Sequence, residues 1–127
     1  MRTILVIGSN CGEKEAAIRK SLILLEEWGE IEESSGLYET PDCLGKGRPY
    51  MNAVISFITT LSEPALNQRI KDIEVVMGRD KEARKRGDVP IDIDIVVWEG
   101  EVKRLFDYNA AYFRLGMQKM QKKVLKV

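Results

Sequence analysis

Histidine is absent from the 127 residues, and cysteine occurs only twice, as Cys11 and Cys43. Without histidine there is no base for a Ser-His-Asp or Cys-His nucleophile. The two cysteines form neither a C-x-x-C pair nor a metal-ligand spacing, so no zinc site is expected and the thiols are read as reduced, in a cytoplasmic protein. Long hydrophobic runs are missing too. The opening MRTILVIGSN is too short for a secretory leader, and nothing approaches the roughly 20 apolar residues of a membrane span. Net charge is also lacking: 20 basic residues offset 20 acidic ones, so no whole-chain field calls for nucleic acid or a membrane surface as partner. There are no solenoid repeats. What is present, 44% hydrophobic residues, suffices for one buried core, and residues 1–127 are read as a single domain with a monomer as the default.

Thr3 to Gly8 (TILVIG) is a short β-branched run ending in Gly-Ser-Asn, a buried strand entering a turn. From Glu13 to Trp28, residues Ile18, Leu22, Leu25 and Trp28 recur at helical spacing, and Gly29 follows at a cap position. Ile31 to Tyr38 is a weaker strand and Tyr50 to Leu61 a strong one, joined through TPDCLGKGRP as an antiparallel pair. Ser62 caps a helix in which Leu66, Ile70, Ile73 and Met77 share a face. A polar, basic stretch from Gly78 to Val89 precedes a fourth strand, PIDIDIVVW. The order predicts a ferredoxin-like β-α-β-β-α-β fold of class α+β, an antiparallel sheet with helices on one face and the other face available. A C-terminal helix from Tyr108 to Val127, basic at its end from Lys122 to Lys126, is expected to pack across an edge.

Strand alternation sends Ile91, Ile93, Ile95 and Val97 to one face of PIDIDIVVW, and Asp92, Asp94, Val96 and Trp98 to the other. Carboxylates two residues apart on a strand lie roughly 6.5 Å apart. They suit a pair of Mg²⁺ ions about 4 Å apart, as in two-metal phosphoryl chemistry. A wet sheet face that merely carries two aspartates is the plainer reading. Just upstream, Arg79, Lys81, Arg84, Lys85 and Arg86 make a flexible cationic loop suited to a polyphosphate; a solvated loop paired internally through Asp80, Glu82 and Asp88 is the alternative.

IGSN (Ile7 to Asn10), ETP (Glu39 to Pro41), PYMNA (Pro49 to Ala53), IEVVMGR (Ile73 to Arg79) and PIDIDIV (Pro90 to Val96) occur in one order and spacing. In these motifs the chain resembles the 6-hydroxymethyl-7,8-dihydropterin pyrophosphokinase family of folate biosynthesis, from Ile4 to about Phe113. The resemblance implies transfer of pyrophosphate from MgATP to the pterin hydroxymethyl group with release of AMP, and the ferredoxin-like plan. It implies Asp92 and Asp94 as ligands of two Mg²⁺ ions, Arg79 as a catalytic phosphate contact and Glu74 beside the nucleotide; Arg84 and Arg86 are expected to bind the nucleotide as substitute cations from the basic loop. Thr40, Pro41, Tyr50 and Asn52 would form the pterin pocket, with Phe113 stacked on the ring.

Departures accompany the matches. Val89 stands where an arginine is expected, three positions before Asp92, and Arg86 where a tryptophan is. Leu105 and Ala111 fall at a nucleotide-contacting histidine and arginine, and the C-terminal part reads as shortened, so turnover is expected to be impaired. The main alternative is a non-catalytic pterin- or nucleotide-binding paralogue. An RNA-binding module of the same strand order is disfavoured, because TILVIG carries no aromatic for base stacking and the two aspartates would repel a phosphate backbone.

Overall fold

In the computed structural model, which describes residues 1–42, 45 and 47–125 and side chains as far as residue 121, the chain runs β1 (Arg2–Ser9), α1 (Lys14–Leu25), β2 (Glu30–Ser34), β3 (Tyr38–Thr40), β4 (Tyr50–Ile58), α2 (Glu63–Val76), α3 (Lys81–Lys85), β5 (Asp92–Trp98), β6 (Glu101–Val102), α4 (Leu105–Asn109) and α5 (Ala111–Leu125). The sheet order is β2-β4-β1-β5-β6, with β3 pairing the other half of β4 and all neighbours antiparallel. This is the ferredoxin-like plan expected from the sequence. Cys43, and Lys126 and Val127 at the end of the basic tail, lie outside the described residues.

The predicted strand Ile31 to Tyr38 is two strands. Gly36, at φ 77°, interrupts it, and Ser35 carries the pairing across: its N–H donates to the Val54 carbonyl while its Oγ accepts from the Val54 amide, both at 2.9 Å. Ser62 caps α2 as expected, accepting from the Ala65 amide at 3.3 Å. The stretch after α2 is not wholly a loop: Asp80 accepts from the Ala83 amide at 2.8 Å and starts the short helix α3.

Helices α1 and α2 cover one face. Leu5, Ile7, Ile18, Ile55, Phe57, Leu66, Ile70, Ile91, Ile93 and Ile95 form the core there, and burial of such side chains, worth about 1.5–3 kcal/mol each, is the main stabilising term. The opposite face is not left open as predicted. Helix α5 lies against β4 on that face, not across an edge, and Val6, Tyr38, Val54, Val96, Val97, Phe113 and Met120 form a second core.

The alternation predicted for β5 also fails at its end. A register shift opposite Ile4 and Leu5 makes Val96 an extra residue, so Val96 and Val97 both join the second core while Trp98 packs against the first. A β-bulge inserts one residue and reverses the facing beyond it. Upstream of the bulge the alternation holds, and Asp92 and Asp94 occupy the second face beyond the cover of α5.

Candidate active site

The registers define the site. Gly8 of β1 lies opposite Asn52 on one side and Asp92 on the other, and Val6 lies opposite Asp94. Asn52 and Asp92 are therefore two strand spacings apart, roughly 9.5 Å, with no side chain between them. A Cβ at Gly8 would approach Asn52 Oδ1 and Tyr50 Cδ2, each to 3.4 Å; glycine keeps this floor clear. Over it opens a cavity of about 170 Å³, lined by Thr40, Pro41, Tyr50, Asn52, Asp92, Asp94 and Tyr112 among others. It is smaller than the ~300–1,000 Å³ of drug-sized sites and suits one small heterocycle. Asn52 is almost fully buried, and its Nδ2 donates to Thr40 Oγ1 at 2.8 Å. Its Oδ1 therefore points toward Gly8, an acceptor for an N–H-bearing ring edge.

A second, more polar cleft adjoins the first across the same two aspartates. Glu74, Arg79, Asp92, Asp94 and Arg104 line it. Arg79 is aimed by the end of α2. Gly78 takes φ 99° and its N–H bonds to the Val75 carbonyl, while the Arg79 N–H bonds to the Glu74 carbonyl, each at 3.0 Å; this is a Schellman termination, which needs a left-handed residue. Arg79 Nη1 then reaches Asp92 Oδ1 at 2.7 Å and Glu74 Oε2 at 2.9 Å. Glu74 also accepts from the Ile93 amide at 2.9 Å. Burial pushes the Glu74 carboxyl up, against the pull of that amide and of Arg79.

Asp94 is the most perturbed carboxyl of the site: burial first, then the neighbouring Asp92 charge, push it up to about 7, with Arg104 opposing. Two adjacent carboxylates, one of them poorly solvated, make a hard-oxygen donor set short of positive charge, which fits a divalent cation. Among the described residues no group of three or more acidic, cysteine or histidine side chains converges. The remaining oxygens would have to come from water and from a bound phosphate, the usual arrangement for Mg²⁺.

The other predicted residues divide. Arg84 lines a separate depression that shares Arg79 with the cleft. Arg86 is turned away: its Nε donates to Asp88 at 2.9 Å, and Asp88 also takes Arg48. These two arginines hold the Asp88 carboxyl low. Val89 is pinned by its backbone, its N–H donating to Asn10 Oδ1 at 2.6 Å and its carbonyl accepting from the Asn10 amide at 3.0 Å. Phe113 departs from its predicted place: it is 0% exposed within the second core, and Tyr112, one residue earlier, lines the pocket. The repeat Phe113, Gly116, Met120 marks the buried stripe of α5 and was the available signal. Leu105 is exposed, and Ala111 begins α5. Sequence reasoning missed Arg104 and Asp107, whose i, i+3 spacing at a helix start was the only hint.

An antiparallel α+β fold with paired acids between a heterocycle-sized pocket and a polar cleft is an arrangement suited to a small molecule and a phosphate group. Residues 4–124 match the model of a family described as 7,8-dihydro-6-hydroxymethylpterin-pyrophosphokinase, and the chain belongs to that family. Among similar proteins are a 2-amino-4-hydroxy-6-hydroxymethyldihydropteridine pyrophosphokinase of Aquifex aeolicus, 38% identical over 77% of this chain and 61% of its own length, and folate synthesis bifunctional proteins of Arabidopsis thaliana and Chlamydia caviae. The latter two are 31% and 34% identical over 75% and 87% of this chain, and 20% and 26% of their own lengths. The chain thus spans about three fifths or less of these relatives.

Proposed function

We propose that this chain transfers the pyrophosphoryl group of ATP to the hydroxymethyl group of 6-hydroxymethyl-7,8-dihydropterin, with Mg²⁺ held by Asp92 and Asp94. The observation that carries the reading is the position of these two acids on the shared wall of both clefts, where a ring in one meets a polyphosphate in the other. Membership of the family and the names of the relatives supply the substrate class.

In the reaction the pterin hydroxyl oxygen attacks the β-phosphorus, the bond from that phosphorus to the α,β-bridging oxygen breaks, the hydroxyl proton is lost, and AMP leaves. Such a step asks chiefly for alignment and neutralisation of phosphate charge. Bound Mg²⁺ would supply charge neutralisation and a template for the phosphates. Asn52 reads the ring edge through Oδ1, Thr40 orients Asn52, and Pro41, Tyr50 and Tyr112 wall the ring. Arg79, fixed by Glu74, meets the phosphates, and Arg84 extends the cationic rim. Phe113 acts at one remove, as the core residue that seats Tyr112.

The test is AMP release from MgATP by the purified chain, with and without the pterin. Pterin-dependent AMP together with a diphosphorylated pterin is the expected outcome. Pterin binding without AMP would replace this reading with the non-catalytic binder, for which the apolar Val89 and the diverted Arg86 are the favouring observations.

A further inference from the structure

The cleft has a second guanidinium that no sequence motif marks. The β5–β6 hairpin turns on Glu99 and Gly100, both at positive φ (47° and 81°), a two-residue turn of the type that matches strand twist. The Lys103 amide donates to the carbonyl of the bulge residue Val96 at 2.8 Å. That bond brings the next residue, Arg104, back over β5, where its Nε lies 3.7 Å from Asp94 Oδ1 and 2.6 Å from Asp107 Oδ2.

The two arginines are held differently. Arg79 is fastened at 2.7 and 2.9 Å to Asp92 and Glu74. Arg104 is half exposed, and its link to Asp94 exceeds hydrogen-bond length. Both of its ion pairs run through Nε, and no hydrogen bond among the described residues engages its terminal nitrogens. Asp107, whose side chain is 8% exposed, is braced on its other oxygen by the Tyr112 hydroxyl. A guanidinium tethered at Nε by a buried carboxylate, with its fork left to a cleft that also holds Arg79, is built to take a phosphate bidentately.

We propose that Arg104 is a phosphate-binding residue of this site and Asp107 its positioning residue, the pair completing from the β6–α4 connection a clamp that Arg79 begins from α2. The inference rests on the ATP-binding reading above. It also links the two clefts, since Tyr112 both walls the heterocycle pocket and braces Asp107.

The experiment is calorimetric titration of the purified full chain with the magnesium complex of ATP carrying a methylene α,β-bridge, and with AMP. Arg104→Gln is expected to weaken the triphosphate roughly 10- to 100-fold, the range for a charge-assisted contact, and to leave AMP within about twofold. Arg104→Lys restores part of the loss, because charge returns without the fork, and Asp107→Asn gives a smaller loss of the same selectivity. Wild-type triphosphate affinity in Arg104→Gln overturns the proposal and leaves the transferase reading standing if the parent protein still releases AMP in a pterin-dependent way. Equal weakening of triphosphate and AMP alongside a lowered melting temperature makes Arg104 structural and also overturns it. No triphosphate binding by the parent protein overturns both.

Discussion

Asp94 shows at the scale of one residue how the site works against the fold. Its carboxyl is raised to about 7 by burial and by Asp92, whereas an unfolded aspartate titrates near 3.9. The folded chain therefore binds more protons than the unfolded chain between these values, and stability from this group is greatest below about pH 4 and declines as pH rises toward 7. Asp94→Asn removes the penalty. The variant should be more stable than the parent by on the order of 2–4 kcal/mol at pH 8 and nearly equal to it at pH 4, read from urea midpoints at the two pH values, while AMP release is lost. A parent protein at least as stable as the variant at pH 8 would remove burial as the cause. Asn52 presents the opposite case: it is almost fully buried, yet its amide is satisfied by Thr40, so its placement carries no comparable penalty.

At the scale of an element, α5 decides what the second sheet face can do. Its close approach is permitted by Gly116: a Cβ there would overlap the Val54 methyl and the Tyr38 hydroxyl. Tyr38 in turn donates to the Tyr112 carbonyl, and burial raises the Tyr38 hydroxyl well above its ordinary value. The seat of α5 is thereby tied to the wall of the heterocycle-sized pocket. Gly116→Ala should cost about 1–3 kcal/mol by overpacking and also weaken pterin binding, because lifting α5 moves Tyr112. Chemical denaturation and pterin fluorescence titration check the two effects together; loss of stability with unchanged pterin affinity would break the connection between them.

For the whole molecule, the two sheet faces divide the work. The face under α1 and α2 holds the larger apolar core, to which Ile91, just before β5, and Ile93 and Ile95 within it contribute, while Asp92 and Asp94 point to the other face. The larger core lies on one face and the candidate site sits at the free end of the other. Among the described residues no helix is long and apolar enough to cross a membrane. Because ligands that bind only the folded state stabilise it by mass action, MgATP and pterin at about 100 times their dissociation constants should add ~2.7 kcal/mol each, a rise of roughly 5–15 °C for a domain of this size. Melting curves with each ligand, and with ATP in the presence of a chelator, test this; a nucleotide shift that survives chelation would argue against the metal at Asp92 and Asp94.

Much of this was legible along the chain. The strand and helix order, the Ser62 cap and the facing of Asp92 and Asp94 follow from local periodicity and turn chemistry, which depend on neighbours within a few residues. Thr40, Pro41, Tyr50 and Asn52 could be named together only through the family resemblance carried by ETP and PYMNA; nothing in their local spacing brings β3 and β4 to one pocket. Other features were set by contacts between segments distant in sequence. The bulge at Val96 exists only in the pairing of β5 with β1, and the burial of Phe113 in place of Tyr112 depends on the face α5 turns to β4. The pairing of Arg86 with Asp88 is local and is among the alternatives the sequence offers, whereas the second arginine on Asp88, Arg48, comes from the loop before β4. Arg104 reaches the acids only because a hairpin and a bulge return the chain over β5. A strand's alternation is a local property of the backbone, whereas the partner of a long charged side chain is chosen by whatever tertiary packing brings within its reach.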